Sequence, residues 1–466
     1  MTRTMLSGTP IRRLRLLSRH FALPPPSSSS SLFPTTLSLL HRSLSITATA
    51  RTDASPSTAW TFTTSAAFHG KPVSRSRRSG PEGGSADADS SNGLNSRGKR
   101  SVQQGLAPDH PLCQWRDQHL AEGKAPKEIG AGHDWWFVEG LPAAQGEGDT
   151  SAGGTRGVVL GVADGVGGWE DSGVDPSHFA QALMWFARER VRTSTWTWPT
   201  EKGSKSAEKL KDLLDGAFKD VSEEKGIVAG SSTACLALLD AETGMFHAAN
   251  LGDSGFFILR PQRTDSLPPT PPATPPADGE SAPEAPPLTP AVTYSVLHAQ
   301  EPQVHFFNAP RQLSKIPAAE LARAGGEGNW LIDRPRDADT FEMQLEDGDV
   351  IMLFTDGYSD NVWPSGETDR LLELVRSRID TAALSSPSSS ESSAAALQAR
   401  TQADKELASS IAQTAVTFAR MIAVRPDVYT PFAAESKRWQ VKGMERGGKV
   451  DDVTVVVGVV RKETVQ

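Results

Sequence analysis

Cysteine is nearly missing: the 466 residues hold two, Cys113 and Cys235. Two thiols cannot build a disulfide scaffold or a cysteine-rich zinc fold. Cys235 falls in an apolar run and is expected in the core. Cys113 lacks the downstream arginine of a cysteine-based phosphatase. Long apolar runs are missing too. None approaches the ~18 residues a membrane-spanning helix needs, so no transmembrane segment is expected. Excess basic charge is also absent. The formal net charge is −8, which argues against nucleic acid as a partner. The histidines form no HxxxH or HxH pattern. His178 and His247 are expected on helix or strand surfaces.

Acidic residues are absent from Met1 to Thr52, a stretch that carries Arg3, Arg12, Arg13, Arg15, Arg19, Arg42 and Arg51. An acid-free, Arg- and Ser-rich start has the composition of a mitochondrial transit peptide. Within it, Ile11–Leu23 can gather Leu14, Leu16, Leu17 and Phe21 on one helical face, suited to an anionic membrane surface or an import receptor. Residues 1–52 are therefore expected to direct the chain to the mitochondrion, in the matrix. Residues 53–110 are poor in large apolar side chains and read as a disordered linker, with the basic stretch Arg75–Arg78 inside it.

What remains can fold. Hydrophobic residues make up 37% of the chain, enough for one large domain over 111–464. Two low-complexity stretches interrupt it: a Pro-rich insertion at 261–291, containing PPTPPATPP, and a Ser/Ala-rich insertion at 381–402. The run GVVLGVA (157–163) reads as a buried strand. Asp175-Pro176 reads as an N-cap and first helical position, followed by Phe179, Ala182, Leu183 and Phe186 on one helical face. Leu210, Leu213, Leu214, Ala217 and Val221 mark a second helix, and 403–422 a third. Residues 233–239, 244–249 and 255–259 read as an antiparallel meander. The β-branched run 453–460 reads as a central strand. Strands and helices in separate blocks argue for an α+β fold.

The chemistry lies at strand ends. Asp164-Gly165 follows GVVLGVA, Asp356-Gly357 follows VIMLFT, and Asp451-Asp452 precedes VTVVVGVV. Carboxylates converging with no Lys or Arg among them repel one another unless a cation sits between them. Hard oxygen ligands suit Mg2+ or Mn2+. Asp253 in LGDSG and Asp360 in TDGYSD add to the set.

These blocks, with GVADGVGGWEDSGVDPSHFAQALM, GSSTACLALLD and HAANLGDSGFFILR, occur in an order that resembles the metal-dependent PPM-type (type 2C) Ser/Thr protein phosphatases. FFNAPRQLS (306–314) and YTPFA (429–433) are similar to the mitochondrial type 2C homolog 7 branch. The resemblance runs from about Gly130 to Val460. It implies an α-β-β-α sandwich of two antiparallel sheets flanked by helices, with two Mg2+ or Mn2+ ions at one edge and a weaker third. It implies Asp164 as the bridging ligand, Gly165 as a carbonyl ligand, and Asp356 and Asp451 on the other ion. Catalysis would run through those three aspartates and a metal-activated water, without a phosphoenzyme. Asp134, Asp253, Asp360 and Asp452 would lie around the ions or at the third. The implied substrates are phosphorylated mitochondrial proteins, with a link to ubiquinone biosynthesis and mitochondrial metabolism, and a monomer is expected.

The chain departs from the family pattern at three places. His133 stands for the first acid of a Glu-Asp pair, Val166 for a histidine proposed as general acid, and Ile129 for a phosphate-binding arginine, with Lys127 the nearest cation. Trp135, Trp136 and Trp169 are expected in the core or along the cleft wall. Two other readings are weaker. An aspartyl-nucleophile phosphohydrolase needs Asp-x-Asp, and Val166 breaks it. A phosphoprotein-binding scaffold would have no reason to keep Asp164, Asp356 and Asp451 together.

Overall fold

The computed structural model describes residues 40–46, 58–72, 105–122, 130–142, 155–198, 206–263, 292–384 and 393–464. The helix expected at Ile11–Leu23, the basic stretch Arg75–Arg78, and Lys127 and Ile129 lie outside them. So do residues 264–291 and 385–392, which hold most of the Pro-rich insertion and the middle of the Ser/Ala stretch.

The described strands form two large antiparallel sheets. The first has six strands, in the order Leu40–Ile46, Thr58–His69, Val453–Thr464, Val350–Phe354, Gly255–Arg263 and Val292–Ala299. The second has five: Asp339–Gln344, Met245–Leu251, Ala234–Asp240, Thr155–Asp164 and Asp134–Pro142. The sandwich architecture expected from the resemblance is present.

Side-chain alternation explains the layering. Successive residues of a strand face opposite sides of a sheet. In Val453–Thr464, Val456 and Val460 join the core shared with the second sheet, together with Phe62, Ala66 and Phe68. Their neighbours Val455, Val457 and Val459 pack on the other face with Leu407, Ile411 and Ala415 of the helix Ser393–Ala423. This strand is hydrogen-bonded along its flanks to Thr58–His69 and to Val350–Phe354. A strand covered on both faces needs the near-continuous β-branched run it has. Helices Pro176–Arg192 and Ser206–Glu223 cover the second sheet, placing Phe179, Leu183, Leu210 and Leu214 in the core. Asp175 caps the first of them, accepting from Ser177 N at 2.9 Å ahead of Pro176. That cap contributes about 1 kcal/mol.

Four expectations are corrected. Thr58–His69 is not linker: it is a twelve-residue inner strand, with Trp60, Phe62 and Phe68 buried. Its Thr- and Ala-rich sequence hid it, since only three of its side chains are large. The expected Ser/Ala insertion is largely helical, because 381–384 ends one helix and 393–402 begins another. The Pro-rich insertion starts later than expected, since 261–263 belongs to a strand. Gly255–Arg263 does not complete the meander. It crosses to the first sheet, pairing with Val350–Phe354 and Val292–Ala299. That crossing places the turn 252–254 between the sheets.

Cys235 and Cys113 are both buried, as are Trp135 and Trp136. His247 is not a surface residue. It is 4% exposed, with its ring against Trp198 and Nδ1 3.2 Å from Glu342. No helix among the described residues is long and apolar enough to cross a membrane.

Candidate metal centre

Both sheets deliver acids to one edge of the sandwich. Asp134 opens a strand and lies directly opposite Asp164, which ends the neighbouring one. Asp253 occupies the turn that crosses between the sheets. Asp356 follows Val350–Phe354 and starts the short helix Asp356–Ser359. Asp451 and Asp452 precede Val453–Thr464.

Ligand oxygens of Asp164, Asp253 and Asp356 lie within 4.8 Å of one another. The Oδ1 atoms of Asp134, Asp253 and Asp356 are buried and have no hydrogen-bond partner among the described residues. Buried polar atoms are nearly always paired, so three orphaned carboxylate oxygens in one cleft call for an explanation. A divalent cation with hard oxygen ligands supplies one, and the donor set fits Mg2+ or Mn2+.

The electrostatics agree. Burial pushes Asp164 well above the usual carboxylate range, and Asp356 and Asp134 push it further. Burial, reinforced by Asp452, does the same to Asp134. Asp356 is raised by burial although Lys449 opposes the shift. Asp253 is raised by burial to about 7. These groups favour the neutral acid until a cation joins them.

Asp451 behaves differently. Burial works against its charge, but Lys449 and Lys71 outweigh that and hold it at about 2. Lys449 Nζ bonds Asp356 Oδ2, lies 2.8 Å from Asp360 Oδ2 and 3.2 Å from Asp451 Oδ2. Lys71 Nζ donates to Asp451 Oδ1 at 2.9 Å and lies 3.4 Å from Asp452 Oδ2. The expectation of a cluster without Lys or Arg is therefore corrected. Lys449 stands two residues before Asp451 and could have been noticed. Lys71 is 380 residues from its partner and sits in the stretch read as linker, so nothing local marked it.

The surrounding bonds fix the acids in place. Thr355 Oγ1 donates to Asp134 Oδ2 at 2.7 Å and accepts from Thr454 N at 3.0 Å. Asp164 is gripped through its backbone, its N–H donating to Thr233 Oγ1 and its carbonyl accepting from Ser232 Oγ. Gly165 N donates to the His133 carbonyl. Asp452 ties two loops together, accepting from Lys71 N at 2.6 Å and His133 N at 2.9 Å. The His133 ring lies 3.1 Å from Glu170 through Nε2. Trp169 Nε1 donates to Ser231 Oγ at 2.7 Å, and its ring stacks on Trp330 at 5.8 Å.

Glycine is required at two of these points. Gly132 has φ +65°, and a side chain there would run into the Asp452 carboxylate. A Cβ on Gly357 would lie 1.9 Å from the Asp452 carbonyl oxygen. Backbone cannot yield cheaply to such a contact. Gly357→Ala is thus expected to push Asp451 and Asp452 away from Asp356. Thermal unfolding should show a loss of about 2 kcal/mol or more, and phosphatase assays a deeper loss.

No family model matches the chain. A solved structure of the photosystem II phosphatase PBCP aligns with a TM-score of 0.42 at 20% identity, covering 73% of this chain and 94% of that one. The Drosophila willistoni protein phosphatase PTC7 homolog fig is 28% identical over 359 residues, 77% of this chain and 84% of the relative. The human protein phosphatase PTC7 homolog is 31% identical over 310 residues, 66% of this chain and 76% of its own length. A two-sheet sandwich, an acidic edge and 31% identity over three quarters of a relative place the chain in one family: it belongs to the PTC7 homolog protein phosphatases.

Proposed function

We propose that this chain is a Mg2+- or Mn2+-dependent Ser/Thr phosphatase that hydrolyses phosphoserine and phosphothreonine in mitochondrial proteins. The observation that carries the reading is the trio Asp164, Asp253 and Asp356, with the orphaned oxygens of Asp253 and Asp356. Asp451 would join when its lysine partners yield, and the Gly165 carbonyl, next in the chain to Asp164, would be a further oxygen ligand. Ions held there would supply charge that favours hydroxide over water near neutral pH and stabilises phosphoryl oxygens. The protein's own part is positional. Thr355 and the Asp164 backbone bonds keep the carboxylates aimed into the cleft without reorganisation. Lys71 and Lys449 add positive charge at the same edge, where an anionic phosphoryl group must arrive. Val166 offers no proton, so the leaving alkoxide must be protonated from another source.

The acid-free, Arg-rich leader supports the mitochondrial matrix as the compartment. The resemblance supports a role in ubiquinone biosynthesis and mitochondrial metabolism. The lysines that neutralise Asp356, Asp360 and Asp451 are what a metal-free phosphoprotein scaffold would also keep, so that reading has a specific observation behind it. One assay separates the two. The full chain is expected to hydrolyse a phosphothreonine peptide with Mn2+ or Mg2+ and to stop with a chelator. Folded protein with no metal-dependent turnover would leave the scaffold.

Asp253 gives a pH-dependent expectation. Its folded-state value of about 7 exceeds the ordinary aspartate value. The folded chain therefore holds a proton that the unfolded chain releases, and metal-free stability falls as pH rises from about 4 to about 7. Asp253→Asn removes that loss. With chelator at pH 8 the variant should be more stable than the native chain by about 1–3 kcal/mol, and near pH 5 the gap should shrink. With Mn2+ the order should reverse, since the native chain alone gains the full binding energy. Thermal unfolding at the two pH values, with and without metal, measures all of this.

A further inference from the structure

Two sequence motifs supply no carboxylate to the cleft: FFNAPRQLS (306–314) and YTPFA (429–433). The fold brings them together beside it. Phe307 of the first packs on Phe432 of the second, with ring centroids 5.1 Å apart. Phe432 borders the acids directly. Its ring centroid lies 5.7 Å from Lys449 Nζ, the ammonium bonded to Asp356 and 2.8 Å from Asp360 Oδ2. Its N–H donates to the Asp360 carbonyl at 2.9 Å. A second aromatic pair adjoins the same acid: Tyr429 stacks at 6.1 Å on Trp363, which stands three residues beyond Asp360.

Burial does not explain these rings. Tyr429 is 53% exposed, and Phe307, Trp363 and Phe432 are only half-buried. The Tyr429 backbone is nevertheless locked. Trp363 Nε1 donates to its carbonyl at 3.1 Å. The next residue, Thr430, caps the helix Pro431–Arg438 by accepting from Ala433 N at 3.2 Å, and donates to the Gly447 carbonyl at 2.8 Å. A large ring held rigidly in water gains little for folding. It suits a contact surface, because a preset aromatic loses little freedom when a partner covers it.

We propose that Phe307, Trp363, Tyr429 and Phe432 form a wall that receives the side chains flanking the phosphoserine or phosphothreonine, so that the chain prefers phosphosites set among apolar or aromatic residues. The inference rests on the phosphatase reading above and names the substrate class for the same cleft. Position identifies the occupant. A phosphoresidue placed at the acids brings its chain neighbours with it, since consecutive Cα atoms are about 3.8 Å apart. Whatever reaches Asp356 therefore carries polypeptide past the rim where Phe432 stands. There an apolar side chain is removed from water, while a flanking carboxylate would lose its water with no donor among the rings to replace it.

Two phosphothreonine peptides of equal charge test this, one with phenylalanine and one with alanine on both sides of the phosphoresidue. Each is assayed with the full chain and saturating Mn2+. The native chain should use the phenylalanine peptide with kcat/KM about 10-fold higher or more, the difference lying mainly in KM. Tyr429→Ala and Phe432→Leu should each shrink that ratio by about 3-fold or more, and Tyr429→Phe should keep it. Rings that merely support the fold would lower both peptides alike and leave the ratio untouched. The native ratio needs no variant, so a substitution that fails to fold does not decide the outcome. Equal kcat/KM for the two peptides in the native chain, or a ratio that survives Tyr429→Ala and Phe432→Leu, would overturn the proposal alone. So would a Tyr429→Ala change that abolishes self-association in sedimentation and spares the ratio, since a second copy of the chain would then cover the face. No metal-dependent hydrolysis of either peptide would overturn the phosphatase reading and the proposal together.

Discussion

Protein lacking residues 1–100 will not accumulate as a soluble, folded phosphatase. Such a cut removes Thr58–His69, whose twelve residues pair in register with Val453–Thr464. It strips Trp60, Phe62 and Phe68 from the core. Truncating a buried aromatic side chain costs about 3–5 kcal/mol, and three of them approach or exceed the ~5–15 kcal/mol that holds a typical domain together. The cut also exposes the edge of a β-branched strand, a template for aggregation. Lys71 goes with it, leaving Asp451 and Asp452 without one of their cations. A cut after residue 39 removes none of the described strands and should leave the solubility intact. Expression of both forms, with soluble yield and cooperative thermal melting as readouts, decides the matter. A folded, active 101–466 fragment would show that the inner strand is dispensable.

Asp164→Ala should lower turnover by about a thousandfold or more while the protein stays folded. Among the described residues no lysine is hydrogen-bonded or ion-paired to Asp164, so its removal strips no ammonium of a direct partner. Its loss also relieves repulsion with Asp356 and Asp134, the groups that push it upward together with burial. Metal-free stability at pH 8 should therefore hold or rise, while the stabilisation given by Mn2+ should largely vanish. Asp356→Ala should cost as much turnover but also free the Lys449 ammonium from its nearest acid, so its metal-free melting point should fall. Opposite stability shifts with equal catalytic losses separate a carboxylate poised for metal from one already neutralised. Equal shifts in both variants would contradict a difference in how the two carboxylates are neutralised.

Much of the site was written locally. Asp164, Asp356 and Asp451 each border a short apolar strand, a pattern that period and composition reveal without tertiary information. Asp253 was legible as part of a turn, but its rank was not. Only the crossing of Gly255–Arg263 into the first sheet sets it beside Asp164 and Asp356. The lysines were only partly legible. Lys449 stands two residues from Asp451, but its pairings with Asp356 and Asp360 span 93 and 89 positions, and Lys71 stands in sequence whose composition resembles linker.

The sequence by itself determined the strand-end aspartates, the capped helix at Pro176, the buried β-branched strand at the C-terminal end and the family resemblance. Each depends on residue type and spacing within some ten positions, where backbone geometry and side-chain periodicity act directly. The tertiary structure alone decided that Thr58–His69 is an inner strand, that the third meander strand changes sheets, and that two lysines enter the acidic cleft. Those outcomes depend on which distant surfaces pack together. Burial by a remote partner can make a strand of a weakly apolar segment, and proximity across 380 residues can set the charge of a carboxylate.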